Sequence, residues 1–379
     1  MENKKKLTVW ESACIITGYG VGGGVLSMPY MAERNGFLVA MLVLLAALAA
    51  SYVLHLMIAD LALKTEGGQI VSCMSKYLFR GKLKTFMTIF FFGMMALILC
   101  TNLAVYIAGA EEILVDLLGV SPLVAQLLFY VAAASVVMFG LKAVGVSEKV
   151  AVGAIFALVG LLAVASMFAE HHSVPMVGGK MNTILAYYGT AMFAMAAFFS
   201  VPQAVEGLGH DEKAIKKAVF LGLMNNFALI VVITFFALLA SEEVTEVCMV
   251  GWSKGIGAWA QVIGSVFTVL AMLTTYWSIS LALSSIVEEQ LKLNTRICWL
   301  LATLPSLVLA LLNMGGFMEF MRLAGGLISI LVAVTVVPAF RNAEKDIPGS
   351  LLGKHTGIGI QILVVVAYVL MGVGSVVTI

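Results

Sequence analysis

The first charge-free run of the sequence contains, at its centre, Thr17-Gly-Tyr-Gly-Val-Gly-Gly-Gly-Val25, followed by Met28-Pro29. Five of the seven residues from 18 to 24 are glycine, and each glycine disfavours a helix by up to about 1 kcal/mol relative to alanine. We therefore expect a break in the helix that contains this run. The amides of Gly22, Gly23 and Gly24 would then begin a second half-helix and point its positive end at a carboxylate. Close helix packing through G-x-x-x-G spacing is the alternative interpretation.

The composition of the whole chain is that of a membrane protein. Hydrophobic residues make up 61% of the 379 residues and charged residues only 11%, which is too little polar surface for a soluble enzyme. A net charge of +1 provides no basic surface for nucleic acid. The five cysteines lack C-x-x-C spacing, so the sequence predicts no disulfide framework, no zinc site and no cofactor.

Division of the chain at its charged residues gives eleven apolar runs. Nearly all reach the roughly 20 residues that cross a hydrocarbon core of about 30 Å as a helix. The runs cover residues 12–32, 35–59, 85–110, 117–141, 150–169, 181–205, 218–241, 255–287, 297–318, 323–340 and 356–379. The sequence thus predicts a single all-α polytopic transmembrane domain over residues 1–379, embedded in the lipid bilayer.

The positions of the basic residues predict the orientation of this domain. If the N-terminus is cytoplasmic, 18 of the 22 Lys and Arg residues fall on the cytoplasmic side and 4 on the other. We therefore expect a multi-pass protein of the cell inner (plasma) membrane, with its N-terminus in the cytoplasm and its C-terminus outside.

The eleven runs divide into two groups of five, residues 8–169 and 181–340, and one further helix at 354–379. Because five is odd, two similar groups must cross the membrane in opposite directions, which is the inverted repeat of many secondary transporters. The first run of the second group contains Phe198-Phe-Ser-Val-Pro-Gln203. Pro202 removes one amide and clashes with the carbonyl four residues earlier, so we expect a rupture at Phe198, with a simple kink as the alternative.

Four segments carry a resemblance to a known family. They are Val21-Gly-Gly-Gly-Val-Leu-Ser-Met-Pro-Tyr30 with Asn35-Gly36, Phe199 to Gln203 followed by Asp211, Val269 to Ser280, and Gly325-Gly326. With these segments the chain resembles a bacterial member of the amino acid/auxin permease family, within the amino acid–polyamine–organocation superfamily. The resemblance implies the LeuT-type five-plus-five inverted repeat plus an eleventh helix, and an amino acid as the substrate.

The resemblance also implies a place for a coupling ion. Sodium-coupled relatives hold sodium between carbonyls of the broken first helix and an A-x-x-[ST]-[ST] segment of the eighth. The corresponding residues here are Gly18, Val21, Ala271, Thr274 and Thr275. Hydrogen bonds from the threonines to their own helix are the alternative. Some proton-coupled relatives place a lysine of the fifth span there, and run 150–169 has no ionisable side chain, which favours sodium.

Two sets of residues follow from these interpretations. Asn102 and Tyr106 share a helix face that we expect to contact the substrate, and aromatic residues near the second break are further candidates. The predicted substrate contacts are Thr17, Gly20, Gly22, Gly23, Gly24, Val25, Asn102, Tyr106, Ala197, Phe198, Phe199, Ser200 and Tyr276. The predicted gate residues are Glu206, Glu319 and Arg322.

We expect a secondary active transporter that imports neutral amino acids by alternating access, with sodium symport as the first hypothesis. A proton-coupled permease and a nutrient receptor that binds without transport are the alternatives. An enzyme is not expected, because the sequence has no H-E-x-x-H, no G-x-S-x-G and no aspartate pair at bilayer depth. The sequence predicts neither the particular amino acid nor the oligomeric state.

Overall fold

A computed structural model describes residues 7–312, 328, 331–353 and 357–377. The described part of the chain is helical and contains no strand. Its α-helices are α1 (Val9–Gly20), α2 (Gly23–Asn35), α3 (Phe37–Lys64), α4 (Ile70–Tyr77), α5 (Lys84–Leu118), α6 (Pro122–Met138), α7 (Leu141–Ser166), α8 (Met181–Ala194), α9 (Val201–Gly207), α10 (Glu212–Ala240), α11 (Cys248–Ile256), α12 (Ala258–Leu291), α13 (Thr295–Leu311), α14 (Val337–Asp346) and α15 (Ile358–Val376). Short 3₁₀ segments precede α5 and α9, and a π-helical turn over Val332–Val336 leads into α14.

Seven of the described helical segments are long and apolar enough to cross a membrane. They are α3, α5 with its preceding turn, α7, α8 with α9, α10, α12 and α15. The helices α6 and α13 are shorter, at 17 residues each. Residues 323–327, 329 and 330 of the predicted tenth span lie outside the described residues, as do the predicted gate residues Glu319 and Arg322 that precede this span. The prediction of a multi-pass, all-helical protein is confirmed.

The helices that carry the glycine run lie inside the bundle. Helix α1 packs against α10, α7 and α12. In α12, 78% of the most apolar window is buried, against 28% in α3 and in α15, which therefore face the lipid. The residues from Thr17 to Val25 are consequently enclosed by other helices, apart from partial exposure of Tyr19.

The first predicted break is present. Helix α1 ends at Gly20, Val21 follows it, and Gly22 is the N-cap of α2. The amide of Val21 still donates to the carbonyl of Thr17 at 3.0 Å, whereas Gly22 has ψ −146°, outside the helical range. The chain therefore leaves the helix at Gly22 and re-enters it at Gly23.

The second break is also present, but it begins earlier than predicted. Helix α8 ends at Ala194, and a 3₁₀ turn over Phe198–Ser200 leads into α9. Pro202 lies in the first turn of α9, where a missing amide costs nothing. The proline therefore marks the start of the second half-helix, and the non-helical segment before it begins at Met195 instead of Phe198.

The fifth span differs from the prediction in composition. Helix α7 begins at Leu141 and includes Lys142, Glu148 and Lys149. The prediction that this span has no ionisable side chain is therefore wrong. It depended on dividing the chain at charged residues, which excludes any charge that lies within a span.

Candidate functional site

A cavity of about 20 Å³ lies between the two breaks, roughly the space of one water molecule. Residues of α1, α2, α5, α8 and α12 form its wall. They are Tyr19, Gly20, Gly22, Gly24, Asn102, Tyr106, Phe193, Ala194, Ala196, Ile279 and Ile328.

Five of the predicted substrate residues line this cavity: Gly20, Gly22, Gly24, Asn102 and Tyr106. The structure thus brings together the glycine run and the polar face of α5. Eight other predicted residues are not part of the wall: Thr17, Gly23, Val25, Ala197, Phe198, Phe199, Ser200 and Tyr276.

Hydrogen bonds explain why several of these side chains lie elsewhere. The hydroxyl of Thr17 donates to carbonyls of Ala13 or Gly222, at 2.9 and 3.3 Å. The Ser200 hydroxyl donates to the carbonyl of Ala197 at 2.6 Å. The hydroxyl of Tyr276 lies 3.1 Å from that of Ser306 on α13, so the Tyr276 side chain points away from the breaks.

Tyr106 joins the break to two neighbouring helices. Its hydroxyl oxygen accepts a hydrogen bond from the amide of Gly23 and interacts with the hydroxyl of Thr275 on α12. A Cβ atom at Gly22 would lie 2.5 Å from this tyrosine hydroxyl and 2.6 Å from the Thr275 hydroxyl. Gly22 therefore has to be glycine for α5 and α12 to meet at the start of α2.

The two breaks also touch each other directly. A Cβ atom at Gly24 would lie 2.8 Å from Cα of Ala194, at the end of α8. The side chain of Asn226 on α10 fills the space beside Gly20. Asn226 is fully buried, and neither its oxygen nor its nitrogen has a hydrogen-bond partner among the described residues. Asn226 was not predicted, although an asparagine within an apolar span was a visible signal.

Aromatic side chains continue from the cavity toward the second break. The rings of Tyr19 and Phe199 are 6.2 Å apart, and those of Phe199 and Phe198 are 4.5 Å apart. Phe198 in turn packs edge-on against His55 of α3 at 6.1 Å. Tyr19 and Phe193 line the cavity and were not predicted, although Tyr19 lies next to Gly20, which was.

Four of the five residues of the predicted ion site, Gly18, Ala271, Thr274 and Thr275, bring oxygen atoms together at the contact between α1 and α12, and no such contact involves Val21 among the described residues. The hydroxyl of Thr275 is 2.9 Å from the carbonyl oxygen of Gly18 and 3.0 Å from that of Ala271. The hydroxyl of Thr274 is 2.9 Å from the same Ala271 carbonyl. Each threonine thus bonds to its own helix, as in the alternative interpretation, while Thr275 also reaches across to α1.

A carboxyl group of α7 lies at the same contact. Glu148 is fully buried, and it occupies the space that a side chain at Gly18 would fill. One of its oxygens is 2.6 Å from the hydroxyl of Ser278, which is 3.0 Å from the carbonyl of Ile15. We define the seam as Glu148, Gly18, Ser278, Thr275 and Ala271, because these residues join α7, α1 and α12.

The beginning of α1 is fixed to α7 and to the end of α9, on the membrane face where the chain begins. The amide of Leu7 donates to the carbonyl of Gly207 at 2.7 Å, and Lys142 pairs with Glu11 at 2.7 Å. On the same face, the side chains of Gln203 and Gln69 are 2.9 Å apart. The predicted gate residue Glu206 lies in α9, next to Gly207.

Residues 5–374 of the chain match the tryptophan/tyrosine permease family. The chain belongs to this family. No curated protein matches the permease significantly. Membership of a permease family makes the chain a transporter. Its resemblance to the amino acid/auxin permease family stays a prediction.

Three solved structures are similar to the permease. Mhp1, a nucleobase-cation-symport-1 family transporter in a closed conformation with bromovinylhydantoin bound, has a TM-score of 0.70 at 12% identity, covering 98% of the permease and 91% of Mhp1. MhsT in complex with L-phenylalanine has a TM-score of 0.66 at 14% identity, covering 98% and 100%. The Eremococcus coleocola manganese transporter, in complex with an aromatic bis-isothiourea substituted compound, has a TM-score of 0.62 at 12% identity, covering 97% and 85%.

These likenesses confirm the predicted fold class of the permease, the all-helical LeuT-type fold. The bounds of the two repeats, the side of each terminus and the particular membrane stay predictions.

Proposed function

We propose that the permease is a secondary transporter that imports aromatic amino acids by alternating access, together with a cation. The observation that carries this proposal is the cavity between two helix breaks, with half-helix ends facing it. The family description supports tryptophan or tyrosine as the substrate class. The bound L-phenylalanine in MhsT, a protein of similar fold, supports the same class.

The chemistry of the wall suits a zwitterion with an aromatic side chain. The first amides of α2, from Gly22 to Gly24, are donors at a positive helix end and would bind the carboxylate. The last carbonyls of α8, near Ala194, are acceptors at a negative helix end and would bind the ammonium group. Tyr19 and Phe193 provide aromatic surface for the substrate ring.

The size of the cavity requires movement during the cycle. A space of about 20 Å³ is too small for an amino acid, so the half-helices must separate before the substrate enters. The backbone is not helical at Gly22 and from Met195 to Ala197, so rotation there would break fewer helical hydrogen bonds than rotation within a helix. Alternating access is therefore a property that the two breaks allow.

Sodium is the first candidate for the coupled ion. The hydroxyl oxygen of Thr275 lies 2.9 Å from the carbonyl oxygen of Gly18 and 3.0 Å from that of Ala271. Neutral oxygens of this kind suit a hard monovalent cation. The ion would bridge α1 and α12, so its binding and release would be linked to their separation.

A proton is the second candidate, and Glu148 is the observation that favours it. This carboxyl group is fully buried at the seam, in the span that was expected to lack ionisable groups. A buried carboxylate is costly unless it is paired or protonated. Glu148 therefore gives the seam a group that can exchange a proton.

Uptake by purified protein in liposomes tests the proposal. Radiolabelled tryptophan should accumulate under an inward sodium gradient or an inward proton gradient, and the gradient that drives it identifies the ion. Competition by each of the other nineteen amino acids should be strongest for tyrosine and phenylalanine. Binding of tryptophan without accumulation under either gradient would instead identify a receptor. Strongest competition by small or charged amino acids would contradict an aromatic substrate.

A further inference from the structure

The carboxyl group of Glu148 is unusual in its hydrogen bonding. One oxygen contacts the Ser278 hydroxyl at 2.6 Å, and the other has no hydrogen-bond partner among the described residues. The side chain is fully buried between α7, α1 and α12. An ionised carboxylate in this position would lack the donors that normally stabilise it.

The single hydrogen of the Ser278 hydroxyl indicates which protonation state of Glu148 is compatible with the hydrogen bonds at this position. The Ser278 hydroxyl has one hydrogen, but it lies within hydrogen-bonding distance of two oxygens, at 2.6 Å from Glu148 and 3.0 Å from the Ile15 carbonyl. The Ile15 carbonyl can only accept. If Glu148 were ionised, one of the two contacts would be between two acceptors. If Glu148 is protonated, it donates to Ser278, and Ser278 donates to Ile15.

No cation in the described part of the chain pairs with Glu148. Glu11 on α1 pairs with Lys142 at 2.7 Å and lies 3.8 Å from the amine of Lys149, so both amines of α7 are directed to Glu11. Of the other groups on α1, Cys14 interacts electrostatically with Glu148. The remaining titratable groups on helices packed against α7 are Tyr19, Tyr130, Glu206, Glu212, Lys213, Lys216, Lys217, Cys248, Lys254, Tyr276, Glu288 and Glu289.

We propose that Glu148 binds the transported proton and that the protonated carboxyl group holds α1 to α12 through Ser278. This inference rests on the proposed function and assigns its coupling ion to a residue. Glu148 takes a proton from the side on which the amino acid enters. Protonation breaks an O–H bond of a hydronium ion on the entry side and forms the O–H bond of Glu148, and release breaks that bond and forms one with a water molecule on the opposite side.

In this arrangement, release of the proton is linked to opening of the protein on the face that carries Leu7 and Gly207. After deprotonation the single hydrogen of Ser278 is donated to the Glu148 carboxylate at 2.6 Å, which leaves the Ser278 oxygen and the Ile15 carbonyl as two acceptors 3.0 Å apart and a buried charge beside Gly18. Both are relieved when α1 moves away from α12 and water reaches the carboxylate. The protonated state therefore favours the closed seam, and the ionised state favours opening on the face that carries Leu7 and Gly207.

The test compares wild-type protein with Glu148→Gln in liposomes that contain a pH-sensitive dye. The glutamine amide can donate to Ser278 as the protonated acid does, so the seam should stay closed and substrate exchange should continue. We expect wild-type protein to acidify the lumen when tryptophan is added. In Glu148→Gln, net uptake driven by a pH gradient should fall to the level of protein-free liposomes, while exchange of internal for external tryptophan is retained.

Two further variants guard against a purely structural effect. Glu112→Gln, at an exposed position of α5, is the matched control and should behave as wild type. Ser278→Ala removes the hydroxyl that links Glu148 to the Ile15 carbonyl of α1, so the pH of half-maximal uptake should shift. This shift also tests the proposal if Glu148→Gln does not fold.

Proton movement with tryptophan that persists in Glu148→Gln would overturn the assignment, as would sodium-driven uptake without proton movement in wild-type protein. Ser278→Ala with an unchanged pH profile would also contradict it. In these cases amino acid transport itself remains. Absence of any tryptophan uptake or exchange by wild-type protein would overturn the proposed function, and the assignment with it.

Discussion

Gly24 and Ala194 lie at the closest approach of the two broken helices. The Cβ atom that any other residue would add at position 24 would be 2.8 Å from Cα of Ala194 and 2.9 Å from its Cβ. The obstacle at this point is backbone and a methyl group, neither of which can rotate away. The glycine run therefore has two roles, since it disfavours a continuous helix and also lets the two breaks meet.

Gly24→Ala should impair both packing and transport. Overfilling a packed site costs about 1–3 kcal/mol, so we expect a lower melting temperature and reduced tryptophan uptake. Gly153→Ala on α7 is the control, because nothing lies within 4 Å of the added Cβ. The control should melt at the same temperature or slightly higher, since alanine favours a helix. Uptake by Gly24→Ala equal to that of the control would show that the close approach is not required.

Single residues also show what the sequence could not reveal. The glycine run predicted the first break at the residues where it occurs, because backbone preferences are local. Glu148 was missed because a charge was taken as the boundary of a span. Whether a charged residue lies at the membrane surface or inside depends on its partners in other helices, here Ser278 on α12 and Gly18 on α1.

The first half-helix, α1, is anchored at its beginning by several contacts. Thr8 and Glu11 form a reciprocal capping box at its N-terminus. Glu11, only 3% exposed, also accepts hydrogen bonds from Lys142 of α7 at 2.7 and 2.8 Å. These contacts link the position of α1 to the helix that carries Glu148.

Lys142→Met should loosen α1 from α7. The change leaves the Glu11 carboxylate without its main partner, and a buried unpaired carboxylate gains by moving into water. Cys14 on α1 is fully buried and reports this movement. In protein whose other cysteines are replaced by serine, a maleimide should label Cys14 faster in Lys142→Met than in wild type.

Lys149→Met is the matched control for this experiment. Its amine lies 3.8 Å from Glu11, farther than that of Lys142, and its side chain is more exposed, at 44% against 35%. Labelling of Cys14 should therefore change much less. Equal labelling rates in wild type and Lys142→Met would mean that this ion pair does not hold the half-helix.

The two breaks differ in how well the sequence predicted them. In the first, the residues that disfavour the helix are the residues of the break. In the second, Pro202 favours the start of α9, but it does not determine where α8 ends. The end at Ala194 accompanies the contact with Gly24, which joins residues far apart in sequence.

For the molecule as a whole, apolar run lengths predicted the membrane helices but not their arrangement. Helix α3 is more apolar than α12, yet α12 is the more enclosed of the two. In a bilayer the lipid-facing surface is as apolar as the protein interior, so hydropathy does not separate them. Polar hydroxyls such as Thr275 and Ser278 on α12 were the better signal, because they need partners from other helices.

The number of crossings leads to a prediction about the two ends of the chain. Eleven predicted crossings would place the termini on opposite sides, and the distribution of 18 basic residues against 4 predicts that the N-terminus lies in the cytoplasm. Green fluorescent protein should fluoresce when fused to the N-terminus, and alkaline phosphatase should be active only when fused to the C-terminus. The reciprocal fusions, with the two reporters exchanged, are the control.

If phosphatase were inactive and fluorescent protein bright at both ends, the number of crossings would be even. Leu7, Gly207 and the Glu11–Lys142 pair would still close the cytoplasmic face, because they lie where the chain begins. Fluorescence at the C-terminus alone would place that face outside, and the proton of Glu148 would then be released in the opposite direction.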